Sequence, residues 1–188
     1  MSEHEPEPDP ASDASLSAVV GGGIYTVLLG GALLWLWARD RLEILHSRAI
    51  GEHGLLAAAG LGLLVGLLGA FLVARISPRV TFLRELEEQA RRMFGPIGET
   101  PMLALILVSA VAEEVFFRLA VQDVFGLLGS VAAYVVVNST TAGWRWIPIT
   151  ALHAAVLGAM MQLGFGLLGT TTANAVLNYL SLRRILSK

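Results

Sequence analysis

The chain has 188 residues, of which 55% are hydrophobic and 15% are charged, and its mean hydropathy is +0.67. This composition is too apolar for an ordinary soluble domain and predicts an all-α, polytopic membrane protein. The chain contains no cysteine, which excludes disulfides and thiolate chemistry. No cluster of basic and aromatic residues favours nucleic-acid binding.

Residues 1–15 are acidic and rich in proline, and they contain no lysine or arginine. This pattern predicts a short disordered tail. A signal peptide would begin with basic residues, so we expect no cleavage. Residues 16–188 are predicted to form a single membrane-embedded helical domain, with no repeat and no second domain.

Six apolar segments are each predicted to cross the bilayer. They cover about residues 16–37, 55–74, 100–124, 127–141, 147–165 and 167–182. In the second segment, Gly62 and Gly66 have the spacing that lets two helices approach closely. Near the last boundary, Gly164, Gly166 and Gly169 could form either a turn or a close-packing face.

Between the second and third segments lies an amphipathic stretch. Ser77-Pro78 predicts its first residues, and Gly95-Pro96 predicts its end. Apolar side chains recur at helical spacing, with arginine and glutamate on the other side. We expect this helix to lie in the membrane interface.

The distribution of arginine predicts the topology. If the N-terminus is cytoplasmic, the inner loops carry most of the basic residues, and the outer side holds only Arg39, Arg41 and Arg48. Both termini are therefore predicted to lie in the cytoplasm.

Glu113, Glu114 and Arg118 are charged residues inside the third apolar segment. Because charges inside a membrane are costly, they mark functional sites by default. Glu114 and Arg118 are four residues apart, in the order that favours an ion pair on one helix face. Glu113 is offset by about 100°, so its carboxyl is predicted to be free to bind water as a general base. The alternative is a purely structural ion pair.

Three polar side chains on later segments are candidate partners of the glutamates. His153 is the only histidine inside a predicted span, and Asn174 and Asn178 share one face of the last helix. They could orient water or stabilise an oxyanion. Equally, His153 could bond a backbone carbonyl, and the asparagines could bridge helices.

These motifs resemble the CPBP family of intramembrane proteases, whose pattern is Glu-Glu-x-x-x-Arg, then Phe-x-x-x-His, then His-x-x-x-Asn. The resemblance covers about residues 80–182 and implies a glutamate-type endopeptidase, in which Glu113 activates water and Arg118 supports the site. It implies a membrane-anchored protein or peptide as substrate and no cofactor. Small bacterial members include myxosortase-like sorting proteases, which cleave the C-terminal anchors of surface proteins. The resemblance to such members implies a location in a bacterial inner membrane.

The later motifs depart from the family pattern. Asn174 stands in the histidine position of the third motif, and Asn178 matches its asparagine. For the second motif, Tyr134-x-x-x-Asn138 and Ile149-x-x-x-His153 are the candidates, and we favour His153. Asparagine is a poor transition-metal ligand, so no metal site is expected.

Two alternatives to a protease remain open. The first is a catalytically impaired relative that acts as a binding partner or chaperone, since family histidines are substituted. The second is a small proton-coupled transporter, which is less favoured because the sequence shows no inverted repeat.

Overall fold

The computed structural model of the protein describes residues 10–95 and 98–187. The predicted all-α class is confirmed, since these residues form helices and turns and include no β-strand. The helices are α1 (Pro10–Ala38), α2 (Glu43–Ser47), α3 (Gly54–Ile76), α4 (Thr81–Phe94), α5 (Glu99–Glu114), α6 (Gln122–Ala142), α7 (Ile147–Gln162) and α8 (Gly166–Leu186). Helix α1 begins within the predicted acidic tail, whose residues 1–9 lie outside the described ranges.

The long helices follow the predicted apolar segments in order along the chain. A π-helical stretch, Val115–Val121, joins α5 to α6. Helix α6 is broken at Gly126, whose φ of 67° and ψ of −172° are not helical. The predicted boundary between the third and fourth segments falls at this break. Glycine allows the break, because other residues rarely adopt such a conformation.

The amphipathic helix begins later than predicted. Residues Ser77–Arg79 form a separate 3₁₀ turn, and Val80 is extended, with φ −117° and ψ 110°. Helix α4 therefore starts at Thr81 rather than at Ser77-Pro78. Leu83 of α4 is buried, so α4 packs onto the bundle through its apolar face.

Helices α3 and α8 pack closely against each other. A methyl group on Gly62 would lie 2.4 Å from the carbonyl oxygen of Gly169, and one on Gly66 would lie 2.8 Å from that of Ala173. The predicted role of the two α3 glycines is confirmed. Of the three later glycines, Gly164 and Gly166 have positive φ and form a turn, whereas Gly169 belongs to the packing face.

The α1–α3 loop, the start of α6 and the α7–α8 turn meet at one end of the bundle, which we call the loop end. Arg39 and Arg41 donate to the Asp123 carboxylate at 3.1 and 2.8 Å, and Arg48 lies 3.9 Å from it. Leu167 N–H donates to the carbonyl oxygen of Arg48 at 2.8 Å. Helix α4 lies at the opposite end, which we call the α4 end.

One helix of the described chain, Gly54–Arg79, is long and apolar enough by itself to cross a membrane. The part of α1 that covers Gly22–Ala38 is apolar but shorter.

Candidate functional site

The candidate site lies where α5 ends and the π-helix begins. Glu113 is 9% exposed, and Glu114 and Arg118 are completely buried. Charges this deep persist only when other groups of the protein compensate for lost water. The contacts of these three residues therefore define the site.

Glu114 and Arg118 form the predicted ion pair. The guanidinium Nε of Arg118 donates to Glu114 Oε2 at 3.2 Å. Its NH1 donates to Ser130 Oγ at 2.8 Å, and Ser130 in turn donates to the carbonyl oxygen of Phe117 at 2.8 Å. Arg118 is thus anchored to both α5 and α6, which fixes the carboxylate of Glu114 as well.

The π-helix is a feature that the sequence did not predict. It spans Val115–Val121 and holds Arg118 in its middle. A π-helix bonds each N–H one residue further back than an α-helix does, and short π segments are frequent at functional sites. Here it brings the buried Phe117 and Leu119 inward together with Arg118.

Asn174 joins the two glutamates. Its Nδ2 donates to Glu113 Oε2 and to Glu114 Oε1, both at 3.1 Å, so one hydrogen serves each carboxylate. Asn178 Nδ2 donates to Asn174 Oδ1 at 2.9 Å. The expectation that Glu113 points away from Glu114 with a free carboxyl is wrong, because the Asn174 amide holds both carboxylates side by side.

Two tyrosines complete the surroundings of Glu113. The Tyr134 hydroxyl donates to Glu113 Oε2 at 3.4 Å, and the Tyr25 hydroxyl of α1 also contacts Glu113. Sequence reasoning missed Tyr25 and Ser130. Tyr134 was considered only as the first residue of a candidate second motif, Tyr134-x-x-x-Asn138, and not as a partner of Glu113.

Glu113 opens into a cavity of about 440 Å³ at the α4 end. His153, Asn178 and Tyr134 line the same cavity, and the His153 ring lies 5.8 Å from that of Tyr134. The imidazole also contacts the Asn174 side chain. The structure thus brings together all six candidate residues, with His153 facing the cavity.

The rest of the cavity wall is largely apolar. Helix α4 covers it with Leu83, Leu86 and Phe94, and α5 and α8 contribute Leu105 and Leu177. A largely apolar cavity with a few polar groups in its wall suits an apolar chain segment.

Among the described residues, no three His, Asp or Glu side chains form a group that could hold a metal ion. Comparison of the chain with known protein families, with curated proteins and with solved structures finds no match.

Proposed function

We propose that the protein is an intramembrane endopeptidase of the CPBP type, which cleaves a peptide bond in a membrane-anchored protein segment. The observation that carries this proposal is the position of Glu113. Its carboxylate lies at the boundary between a buried, hydrogen-bonded polar cluster and an apolar cavity. That is where a general base would meet both a water molecule and an apolar substrate.

In the proposed reaction, Glu113 takes a proton from a water molecule, and the water oxygen attacks the carbonyl carbon of the substrate. His153 and the second amide hydrogen of Asn178, both at the cavity wall, donate to the oxyanion that forms. The C–N bond then breaks, and Glu113 passes its proton to the leaving nitrogen. The Glu114–Arg118 pair and Asn174 hold Glu113 in place.

We also propose that six helices cross the membrane, with α4 in the interface and both termini cytoplasmic. Large apolar side chains on most long helices point outward, among them Val27 (76% exposed), Leu56 (85%), Leu128 (82%) and Leu152 (68%), while the charged cluster is inside. A soluble monomer rarely exposes so much apolar surface. Reporter fusions at Lys188 and in the α1–α3 loop test the topology, and a loop reporter active in the cytoplasm would contradict it.

The substitution Glu113→Gln tests the reaction. It keeps the size of the side chain and one acceptor oxygen for the Asn174 amide but removes the base, so cleavage of a co-expressed, tagged anchor segment should be lost. Glu99→Gln, on the exposed start of the same helix, is the matched control and should cleave normally. Undiminished cleavage by a folded Glu113→Gln protein would overturn the assignment.

A catalytically impaired partner or chaperone is the second candidate, and one observation favours it. Asn174 donates a hydrogen bond to each of the two carboxylates, which is what a residue that holds Glu113 in an unreactive position would do. Asn174→His restores the histidine of the family pattern. If the wild type shows no cleavage and Asn174→His does, the chain is an impaired relative; cleavage by the wild type excludes this candidate.

A further inference from the structure

Gln122 lies one helical turn beyond Arg118, on the loop-end side of the ion pair. Its side chain is 7% exposed, and its Nε2 donates to the carbonyl oxygen of Gly158 at 2.9 Å. This bond fixes the orientation of the amide. Within the described part of the chain, Gln122 Oε1 has no hydrogen-bond partner, and neither has Arg118 NH2.

Gly158 of α7 brings the two side chains together. A methyl group on Gly158 would lie 3.0 Å from Gln122 Oε1 and 3.5 Å from Arg118 NH1. The head groups of Gln122 and Arg118 therefore both lie over the same glycine. The unpartnered acceptor and the unpartnered donor thus belong to neighbouring buried side chains, and an ordered water is one group that can satisfy both.

Gln122 also lines a second cavity, of about 390 Å³, at the loop end. Its other walls include the charged side chains Arg48, Glu52 and Asp123, and also Gln162. The volume is sufficient for several water molecules, and the lining supplies the polar partners that ordered water needs. This cavity lies at the opposite end of the bundle from the apolar one at Glu113.

We propose that the loop-end cavity is a water-filled vestibule that hydrates the buried Glu114–Arg118 pair through Gln122. One water accepts a hydrogen bond from Arg118 NH2 and donates one to Gln122 Oε1, which makes Gln122 a positioning residue for Arg118. Water thus reaches the ion pair from the end that the substrate does not use. The importance of this water for hydrolysis rests on the proposed function, whereas the hydration of the pair does not.

Cysteine labelling tests the vestibule without any assay of cleavage, because the chain has no cysteine of its own. Gln122→Cys and Met161→Cys place a thiol on the vestibule wall. A membrane-impermeant methanethiosulfonate is added to one side of sealed vesicles. Gln162→Cys is the positive control, and the buried Leu157→Cys, 1% exposed, is the negative control.

We expect Gln122→Cys and Met161→Cys to react from the same side as Gln162→Cys, and at least ten times faster than Leu157→Cys. If both are as unreactive as Leu157→Cys, or react only from the side that labels Ile149→Cys in the α4-end cavity, the vestibule is overturned. Met161→Cys decides alone if Gln122→Cys does not fold.

The positioning role is tested by Gln122→Met and Gln122→Glu in the cleavage assay. Met keeps the shape of the side chain but has no oxygen acceptor, so kcat should fall about tenfold or more while KM stays constant. Glu restores an acceptor and should recover most of the rate. An equal loss in both variants would overturn the positioning role of Gln122 but not the vestibule. If the wild-type protein shows no cleavage, the proposed function is refuted, and the labelling result still stands.

Discussion

Asn178 donates a hydrogen bond to the side-chain oxygen of Asn174, one turn earlier on α8 and 2.9 Å away. This bond determines which way the Asn174 amide faces, because an amide whose oxygen is engaged must turn its NH2 group to the other side. The NH2 group of Asn174 consequently faces Glu113 and Glu114. A residue that touches neither carboxylate thus sets the arrangement of both.

Asn178→Leu removes this donor and leaves the Asn174 oxygen buried without it. We expect a loss of about 1 kcal/mol in the free energy of unfolding, typical of one side-chain hydrogen bond. Thermal or denaturant unfolding in mild detergent measures it. Tyr179, which lies beside Asn178 on α8, donates an exposed hydrogen bond to Glu99 of α5. The variant Tyr179→Phe removes that bond and should change stability little. Equal effects of the two variants would contradict the buried role of Asn178.

Arg118→Met should be among the most damaging single substitutions, because it leaves the buried Glu114 without its cation. Breaking such a pair costs about 3–5 kcal/mol. The double variant Glu114→Gln/Arg118→Met removes both charges and should be more stable than Arg118→Met alone. Unfolding of the wild type, both single variants and the double variant gives the coupling energy; additive losses would mean that the pair is not coupled.

Gly62→Ala tests the close packing of α3 on α8. Its methyl group would lie 2.4 Å from the carbonyl oxygen of Gly169, so the helices must separate at a cost of about 1–3 kcal/mol. Gly60→Ala on the same helix meets nothing within 4 Å. This control should be neutral or stabilising by up to about 1 kcal/mol, from helix propensity alone. A Gly62→Ala protein as stable as Gly60→Ala would show that α3 and α8 do not pack this closely.

Asp123→Asn should weaken the loop end. The carboxylate is 7% exposed and receives hydrogen bonds from Arg39 and Arg41, and its loss leaves their charges uncompensated. We expect a loss of about 1–2 kcal/mol, since the arginines themselves are partly exposed. Glu43→Gln removes the weaker contact with Arg41, at 3.4 Å and with the glutamate 59% exposed, and should have little effect. Unfolding of both variants at low and high salt measures these effects. A loss of stability in Glu43→Gln as large as that in Asp123→Asn would contradict the role of Asp123.

The helix order was predictable because hydrophobic length and helical spacing are local properties of a sequence. The Glu114–Arg118 pair was predictable for the same reason, since a four-residue spacing on one helix determines the contact. The packing role of Gly62 and Gly66 was likewise predictable, because their four-residue spacing places them on one face of the helix. All of these features depend on residues within about two turns of one another.

The rest of the site depends on long-range contacts that spacing cannot show. Asn174 meets the glutamates only because α8 packs on α3 and α5, and Ser130 meets Arg118 only because α6 folds back beyond Gly126. The orientation of Glu113 was mispredicted for this reason. An ideal helix places it away from Glu114, but the amide of a distant asparagine draws the two carboxylates together.

The π-helix at Val115–Val121 has a consequence for insertions and deletions in this chain. A π turn accommodates one more residue than an α turn spanning the same height, so deleting one residue there would give a regular α-helix with its hydrogen bonds intact. Helix α6 would then keep its orientation relative to Glu113, because the π turn and the shorter α turn cover the same height. The change would be local, since the side chains within Val115–Val121, Arg118 among them, would take new positions around the helix axis. A single-residue deletion in this stretch would therefore disturb the Glu114–Arg118 pair and leave Gln122 and Asp123 at the loop-end cavity.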